Sequence, residues 1–330
     1  MVPGMEYTAL GRTGLRVSRI CLGTMNFGWQ IGEPESHAIL SRALGAGINF
    51  VDTANMYGSR DGDGLSERFI GSWLAGSGAR DKIVLATKVY APMSDWPNDG
   101  GLSARHIVAS CEASLRRLRT DWIDLFQMHH IQRETPWEEI WQAMETLTVQ
   151  GKIRYAGSSN FAGWHLARAQ TVADARHYLG LVSEQAKYNL LTRHVELEVL
   201  PAARALGIGI LAYSPLHFGA LSGALRKQRD HQGVRTQLHA PDRVEPHRAA
   251  LERYEKLCAD RGLAPATVAL AWLLSRPGVT APVIGPRTPE QLDVPLEALT
   301  TSLGDELLGE LDAIFPPIGA GGPAPEAWAW

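Results

Sequence analysis

Cysteine is scarce in this chain: Cys21, Cys111 and Cys258 are the only three in 330 residues, and they lie far apart. With no C-x-x-C pair and no Cys/His cluster at zinc spacing, neither a disulfide framework nor a structural metal site is expected. The three cysteines read as small core residues of a protein in a reducing compartment. An excess of one charge is also missing, since 32 Lys and Arg stand against 35 Asp and Glu. Nothing is left over to neutralise a nucleic-acid backbone or an anionic membrane surface, so neither is an expected partner. Long apolar runs are absent as well. The first residues, MVPGMEYTALGRTGLRVSRICLG, lack the continuous hydrophobic stretch of a signal peptide, and no later window reaches the length of a membrane span. A cytoplasmic location is expected. There is no P-loop, no G-x-S-x-G elbow, no H-E-x-x-H and no acidic cluster at ligand spacing, which excludes several hydrolytic and metal-dependent chemistries.

What the chain does have is a rhythm. Short runs rich in β-branched or aromatic residues recur eight times, as RICLGTM, INFVDTA, KIVLATKVY, WIDLFQMH, IRYAGSSN, LVSEQAKY, GIGILAYSP and VTAPVIG. Between and after them lie segments with apolar residues at three- and four-residue spacing, several opening on Pro or Ser and closing on Gly, as helices do. Eight strands alternating with eight helices predict a parallel sheet covered on its outside. At this length a closed (β/α)₈ TIM barrel is the economical closure, and an open doubly wound sheet the runner-up. A dinucleotide-binding sheet of the second kind would carry G-x-G-x-x-G between its first strand and helix, and none is there. No Pro/Ser-rich linker divides the chain, so residues 1–330 read as one domain. Ahead of the barrel, YTALGRTGLRVSRICLG predicts a β-hairpin able to plug one end. Residues 217–247 read as a long functional loop over a barrel end, and LGDELLGELDAIF as a C-terminal helix.

Barrel chemistry gathers where strands end. The second strand ends on Asp52, the third at Lys88 and the fourth at His129, with Tyr57 in the loop after Asp52. Singly, each has an ordinary explanation as a cap or a solvated strand end. Together they form a chemical set. A phenol with a reference pKa near ~10 is a poor acid unless a cation favours its phenolate, and a buried ammonium keeps its proton only beside a carboxylate. Asp52 would hold Lys88, Lys88 would tune Tyr57, and His129 would add a donor or a steric guide for a carbonyl oxygen. The neighbouring His130 is a competitor, but strand alternation puts Leu125, Gln127 and His129 on one face and His130 on the other. Trp137 and Trp141, four apart, read as packing residues of an outer helix.

These residues resemble the aldo-keto reductase family, whose Asp-Tyr-Lys-His tetrad sits at the mouth of a (β/α)₈ barrel. DTANMYG is similar to the family's D-T-A-x-x-Y-G, ATK carries its lysine, and DLFQMHH is similar to its D-L-x-Q-x-H. The resemblance implies reduction of a carbonyl by NADPH, with Asp52, Tyr57, Lys88 and His129 as the catalytic set and Tyr57 as the acid. It extends to GSSNF, which implies Ser159 and Asn160 as contacts of the nicotinamide carboxamide, with Gln185 as the third. It implies Tyr213 as the platform under the nicotinamide ring, and Ser214, Leu216 and Gly219 near the pyrophosphate. At the adenosine end, VIGPRTPEQL implies Gly285, Arg287 and Gln291, with Arg287 on the 2′-phosphate of NADP. An asparagine common in the family four residues after that glutamine is Pro295 here. The pattern is most similar to bacterial members, some acting on simple aldehydes and some on nucleotide-linked keto-deoxysugars. Arg226, Lys227, Arg229 and Arg235 could serve a sugar diphosphate. Other relatives of this shape are auxiliary subunits of potassium channels or redox sensors with slow turnover, an alternative with the same motifs. A homo-oligomer is compatible with either reading.

Overall fold

The computed structural model describes residues 5–58, 63–229 and 244–318, and of residues 228 and 229 the backbone only. A hairpin opens the chain, with β1 (Tyr7–Ala9) antiparallel to β2 (Arg16–Ser18). Its Leu10 and Val17 are buried in a cluster with Phe50, Val84, Leu125, Val182 and Leu211. The predicted plug is therefore present, inserted where the barrel strands begin. Gly11 makes this approach possible. Its φ is 55°, and a Cβ there would lie 2.4 Å from the Val182 carbonyl oxygen.

Eight parallel strands follow: β3 (Cys21–Gly23), β4 (Phe50–Asp52), β5 (Val84–Val89), β6 (Ile123–Met128), β7 (Ile153–Ser159), β8 (Leu181–Lys187), β9 (Gly209–Tyr213) and β10 (Val279–Ile284). Each pairs with the next and β10 returns to β3, so the sheet is a closed barrel. Every strand is covered on its outer face, which explains why the runs are nearly continuous in apolar residues.

Outside lie α1 (Glu33–Gly45), α2 (Leu65–Ser77), α3 (Ala104–Leu118), α4 (Trp137–Val149), α5 (Gly163–Ala175) and α6 (Val199–Leu206). Helix α3 shows the local logic. Ser103 caps it by accepting from the His106 amide, and Ile107, Cys111 and Leu118 fall on its buried stripe. On α4, Trp141 is fully buried with its ring stacked 5.7 Å from that of Trp137, as packing residues should be.

Between β9 and β10 the structure departs from expectation. Residues 217–247 are not one loop: a 3₁₀ segment (His217–Ser222) and a short helix α7 (Ala224–Arg229) occupy the first part, and residues 230–243 lie outside the described residues. A helix not anticipated, α8 (Arg248–Asp260), then precedes α9 (Pro265–Ser275). Its signal was Leu251, Tyr254 and Cys258, buried at helical spacing but surrounded by charge. After β10 come α10 (Asp293–Thr300) and the expected C-terminal helix α11 (Asp305–Ile314). The latter is tied to the loop beyond β8, where Arg193 reaches Asp312 at 2.6 Å and the Phe315 carbonyl at 2.7 Å. Among the described residues no single helix is long and apolar enough to cross a membrane.

Candidate active site

Asp52 is the last residue of β4, Lys88 the last but one of β5, and His129 follows β6 directly, so all three reach the same barrel mouth. The Lys88 ammonium is fully buried. It lies 2.6 Å from Asp52 Oδ2, donates to the Thr53 carbonyl at 2.8 Å and stands 3.4 Å from the Tyr57 hydroxyl. The other carboxylate oxygen, Asp52 Oδ1, accepts from Gln127 Nε2 at 2.9 Å and Gln185 Nε2 at 3.0 Å. Each ammonium and carboxylate position is thereby used, as a buried ion pair requires. Tyr57 is placed by its loop: its amide bonds the Ala54 carbonyl, and its own carbonyl accepts from the Ser66 amide in the first turn of α2. The Ser66 hydroxyl in turn joins Thr24 and Thr53, tying the ends of β3 and β4 to that helix. The His129 ring meets the Tyr57 ring edge-on, centroids 5.8 Å apart. His130 faces away, against Tyr90.

The electrostatics add burial to the expected effect of Lys88 on Tyr57. Burial pushes the Tyr57 hydroxyl above the ordinary tyrosine value, and Lys88, although it acts in the opposite direction, does not outweigh it. Tyr57 is therefore a protonated phenol at neutral pH. Burial also works to strip Lys88 of its proton, but Asp52 and then Tyr57 more than offset this, and the ammonium is held above its usual range. Burial, Lys88 and His130 push His129 down to about 3, so its imidazole is neutral at pH 7.

A cavity of about 620 Å³ runs from this mouth across the ends of β7–β10, and of the tetrad and the expected nicotinamide, pyrophosphate and adenosine contacts all but Lys88 line it. Lys88 sits behind its wall. Next to the tetrad, Ser159 donates to the Gln185 carbonyl, and the Asn160 amide bonds the His129 carbonyl at 3.1 Å. Tyr213 donates its hydroxyl to Asn160 Oδ1 at 2.8 Å. Ser159, Asn160, Gln185 and Tyr213 are thus bonded to one another and to the tetrad. Further along, Ser214, Leu216 and Gly219 form a turn in which Ser214 and Gly219 have φ of 51° and 96°. At the far end lie Gly285, Arg287, Gln291 and Pro295. Gln291 Oε1 accepts from the Arg287 amide at 2.8 Å, while the Arg287 guanidinium has no hydrogen bond or ion pair among the described residues.

Two residues with no role expected from the sequence line the cavity, and of the four cations expected for a sugar diphosphate Lys227 lines it as well. Met25 and Met56, the latter next to Tyr57 in the chain, line the cavity and are 40% and 37% exposed. Lys227 lines the end near Gly219, its ammonium 3.3 Å from the Ser222 hydroxyl and its pKa lowered by burial and by Arg226. Arg226 instead borders a separate depression with Arg248 and Glu252. Arg235 and the Arg229 side chain lie outside the described residues. Behind the Ser159–Asn160 turn, Glu184 accepts from Ser158 Oγ at 2.5 Å and the Phe161 amide at 3.0 Å. Burial pushes its carboxyl up to about 8.

The model of the aldo/keto reductase family matches residues 19–315. The uncharacterized oxidoreductase YrpG of Bacillus subtilis (strain 168) is 55% identical, covering 99% of this chain and 100% of its own length. Versiconal hemiacetal acetate reductase of Aspergillus parasiticus is 33% identical over 95% of this chain and 98% of its own. A probable voltage-gated potassium channel subunit beta of Oryza sativa subsp. japonica is 32% identical over 94% and 96%.

Proposed function

We propose, from the premise that this chain belongs to the aldo/keto reductase family of oxidoreductases, that it is an NADPH-dependent reductase of an apolar aldehyde or ketone, working as a single barrel domain. The observation that carries the reading is the Lys88 ammonium held between Asp52 and Tyr57 at the mouth of a long cavity.

The cavity suits a dinucleotide. Its lysine and arginine are Lys227 and Arg287, and among the described residues neither is hydrogen-bonded to the tetrad or paired with an acid in a direct salt bridge, which fits two phosphate positions. In this reading Arg287 grips the 2′-phosphate and Lys227 the diphosphate. Ser159, Asn160 and Gln185 meet the carboxamide, and Tyr213 supports the ring. When bound, the nicotinamide supplies a hydride. Tyr57, protonated at neutral pH, donates its proton to the carbonyl oxygen as negative charge develops there. Lys88 stabilises the phenolate that remains, and Asp52 keeps Lys88 charged and in place. Neutral His129 offers a hydrogen bond to the same oxygen.

Met25 and Met56, the latter adjoining Tyr57 in the chain, line the cavity with soft side chains that adapt to apolar groups. Of the four cations that could serve a sugar diphosphate, Lys227 lines the cavity, and among the described residues its hydrogen bond is to Ser222 with none to the tetrad. Both facts favour a simple apolar carbonyl over a nucleotide-linked sugar. NADPH oxidation by purified protein against an aromatic aldehyde panel and a nucleotide-linked keto-sugar tests this. Turnover of the aldehydes is expected, and preference for the sugar nucleotide would refute the substrate assignment.

The likeness to a potassium-channel beta subunit favours one second reading, a cofactor-bound sensor. Tight NADPH binding with turnover of every carbonyl below about one per minute would select it, far under the ordinary enzyme range.

A further inference from the structure

Two amides hold Asp52 Oδ1, and they are not equivalent. Gln185 lines the cavity, whereas Gln127, from the inner face of β6, is fully buried and does not. Gln127 Oε1 has no hydrogen-bond partner among the described residues, and neither does the neighbouring Ser183 Oγ. A half-satisfied buried amide costs stability that an apolar side chain of the same size would not. The backbone beside it is also cleared. At Gly157 on β7 a Cβ would lie 2.5 Å from Ser183 Oγ and 3.1 Å from Gln127 Cγ, so any larger residue would displace the layer in which Gln127 lies.

We propose that Gln127 is a positioning residue of the reduction: it fixes the Asp52 carboxylate so that Oδ2 faces Lys88, and thereby keeps the ammonium within reach of Tyr57. The inference rests on the assignment of Tyr57 as the acid. Lys88 is held by Asp52 Oδ2 and the Thr53 carbonyl, and its contact with Tyr57 is the longest of the three, at 3.4 Å. A carboxylate free to turn about its Cβ–Cγ bond would draw the ammonium with it, and the longest contact would open first. Gln127 never touches substrate or cofactor in this arrangement and carries no charge. The titratable groups that face the cluster are Cys21 from β3, Tyr57, Lys88 from β5, His129 after β6 and Tyr213 from β9. Exchange of Gln127 for methionine leaves all of them in place.

The test uses Gln127→Met and Gln127→Glu in the full chain, with 4-nitrobenzaldehyde as the probe carbonyl. For Gln127→Met, the apparent pKa above which kcat/KM falls as pH rises should increase by about 0.5 to 1 unit and kcat fall roughly three- to tenfold, with NADPH affinity unchanged. Gln127→Glu should approach wild-type turnover at low pH, where a protonated glutamic acid can still donate to Asp52, and lose it as that proton leaves. The same shift should be visible without turnover, in the ¹³Cζ-tyrosine resonance of Tyr57 titrated in the cofactor-free protein and assigned with Tyr57→Phe. That resonance separates the two readings: if wild type reduces no carbonyl, the assignment of Tyr57 as acid falls, while the link from Gln127 to Tyr57 is still measured. An unmoved Tyr57 titration and pH profile, with only a lowered Tm, would show that Gln127 is packing and overturn the proposal.

Discussion

Lys88 and Asp52 form an ion pair of 2.6 Å in which neither side chain is more than 2% exposed. Withdrawing two charges this far from water is costly, and it is sustained only because each oxygen and proton in the pair has a partner. Removal of one charge is therefore worse than removal of both. Lys88→Met should destabilise by about 3–5 kcal/mol, because it leaves Asp52 buried and uncompensated. Asp52→Asn/Lys88→Met should lose clearly less than the sum of the single variants. Urea unfolding of the three proteins measures this, and additive losses would mean that the two side chains act independently.

Cofactor choice follows from Arg287. A charge-assisted bond to a phosphate is worth about 1.5–3 kcal/mol, so Arg287→Ala should weaken NADPH roughly 10- to 150-fold and NADH little. Fluorescence titration of both cofactors against wild type and variant checks it. Equal losses would place Arg287 in support of the fold.

Glu184 predicts a pH dependence of stability. Its carboxyl is pushed up to about 8 by burial, so between about pH 4.5, where the unfolded chain has lost this proton, and about pH 8 the folded state binds more protons. Stability from this group is thus fully present at low pH and falls as pH rises through that window. Glu184→Gln cannot ionise. Its stability relative to wild type should climb from pH 4.5 to 8 and level off above, by on the order of 3–5 kcal/mol at most. A difference independent of pH would show that the buried carboxyl is not held protonated.

Much of the barrel was legible because parallel strands buried on both faces leave continuous apolar runs, and because Asp52, Lys88 and His129 fall at or next to the ends of such runs. Helix α8 was not, since only Leu251, Tyr254 and Cys258 carry its buried stripe amid charged neighbours. The amides on Asp52 were hidden for a different reason: Gln127 and Gln185 lie 75 and 133 residues away in sequence, and no local pattern encodes which inward side chains meet across a closed barrel. The net direction of the Tyr57 shift was not legible from its expected neighbour alone. Lys88 does lower it, but burial is the larger effect, and burial belongs to the folded cavity.

Tyr57→Phe is the most direct test of the whole account, since it removes one hydroxyl and leaves the ring, the cavity and the Lys88–Asp52 pair intact. Single-turnover reduction of an aldehyde by the NADPH-loaded protein should slow by about 10²- to 10⁴-fold, the usual span of general acid catalysis, with NADPH affinity within about twofold of wild type. A Tyr57→Phe protein that reduces the aldehyde at the wild-type rate would contradict the account and move the acid role to another group at the mouth, with His129 the first to examine.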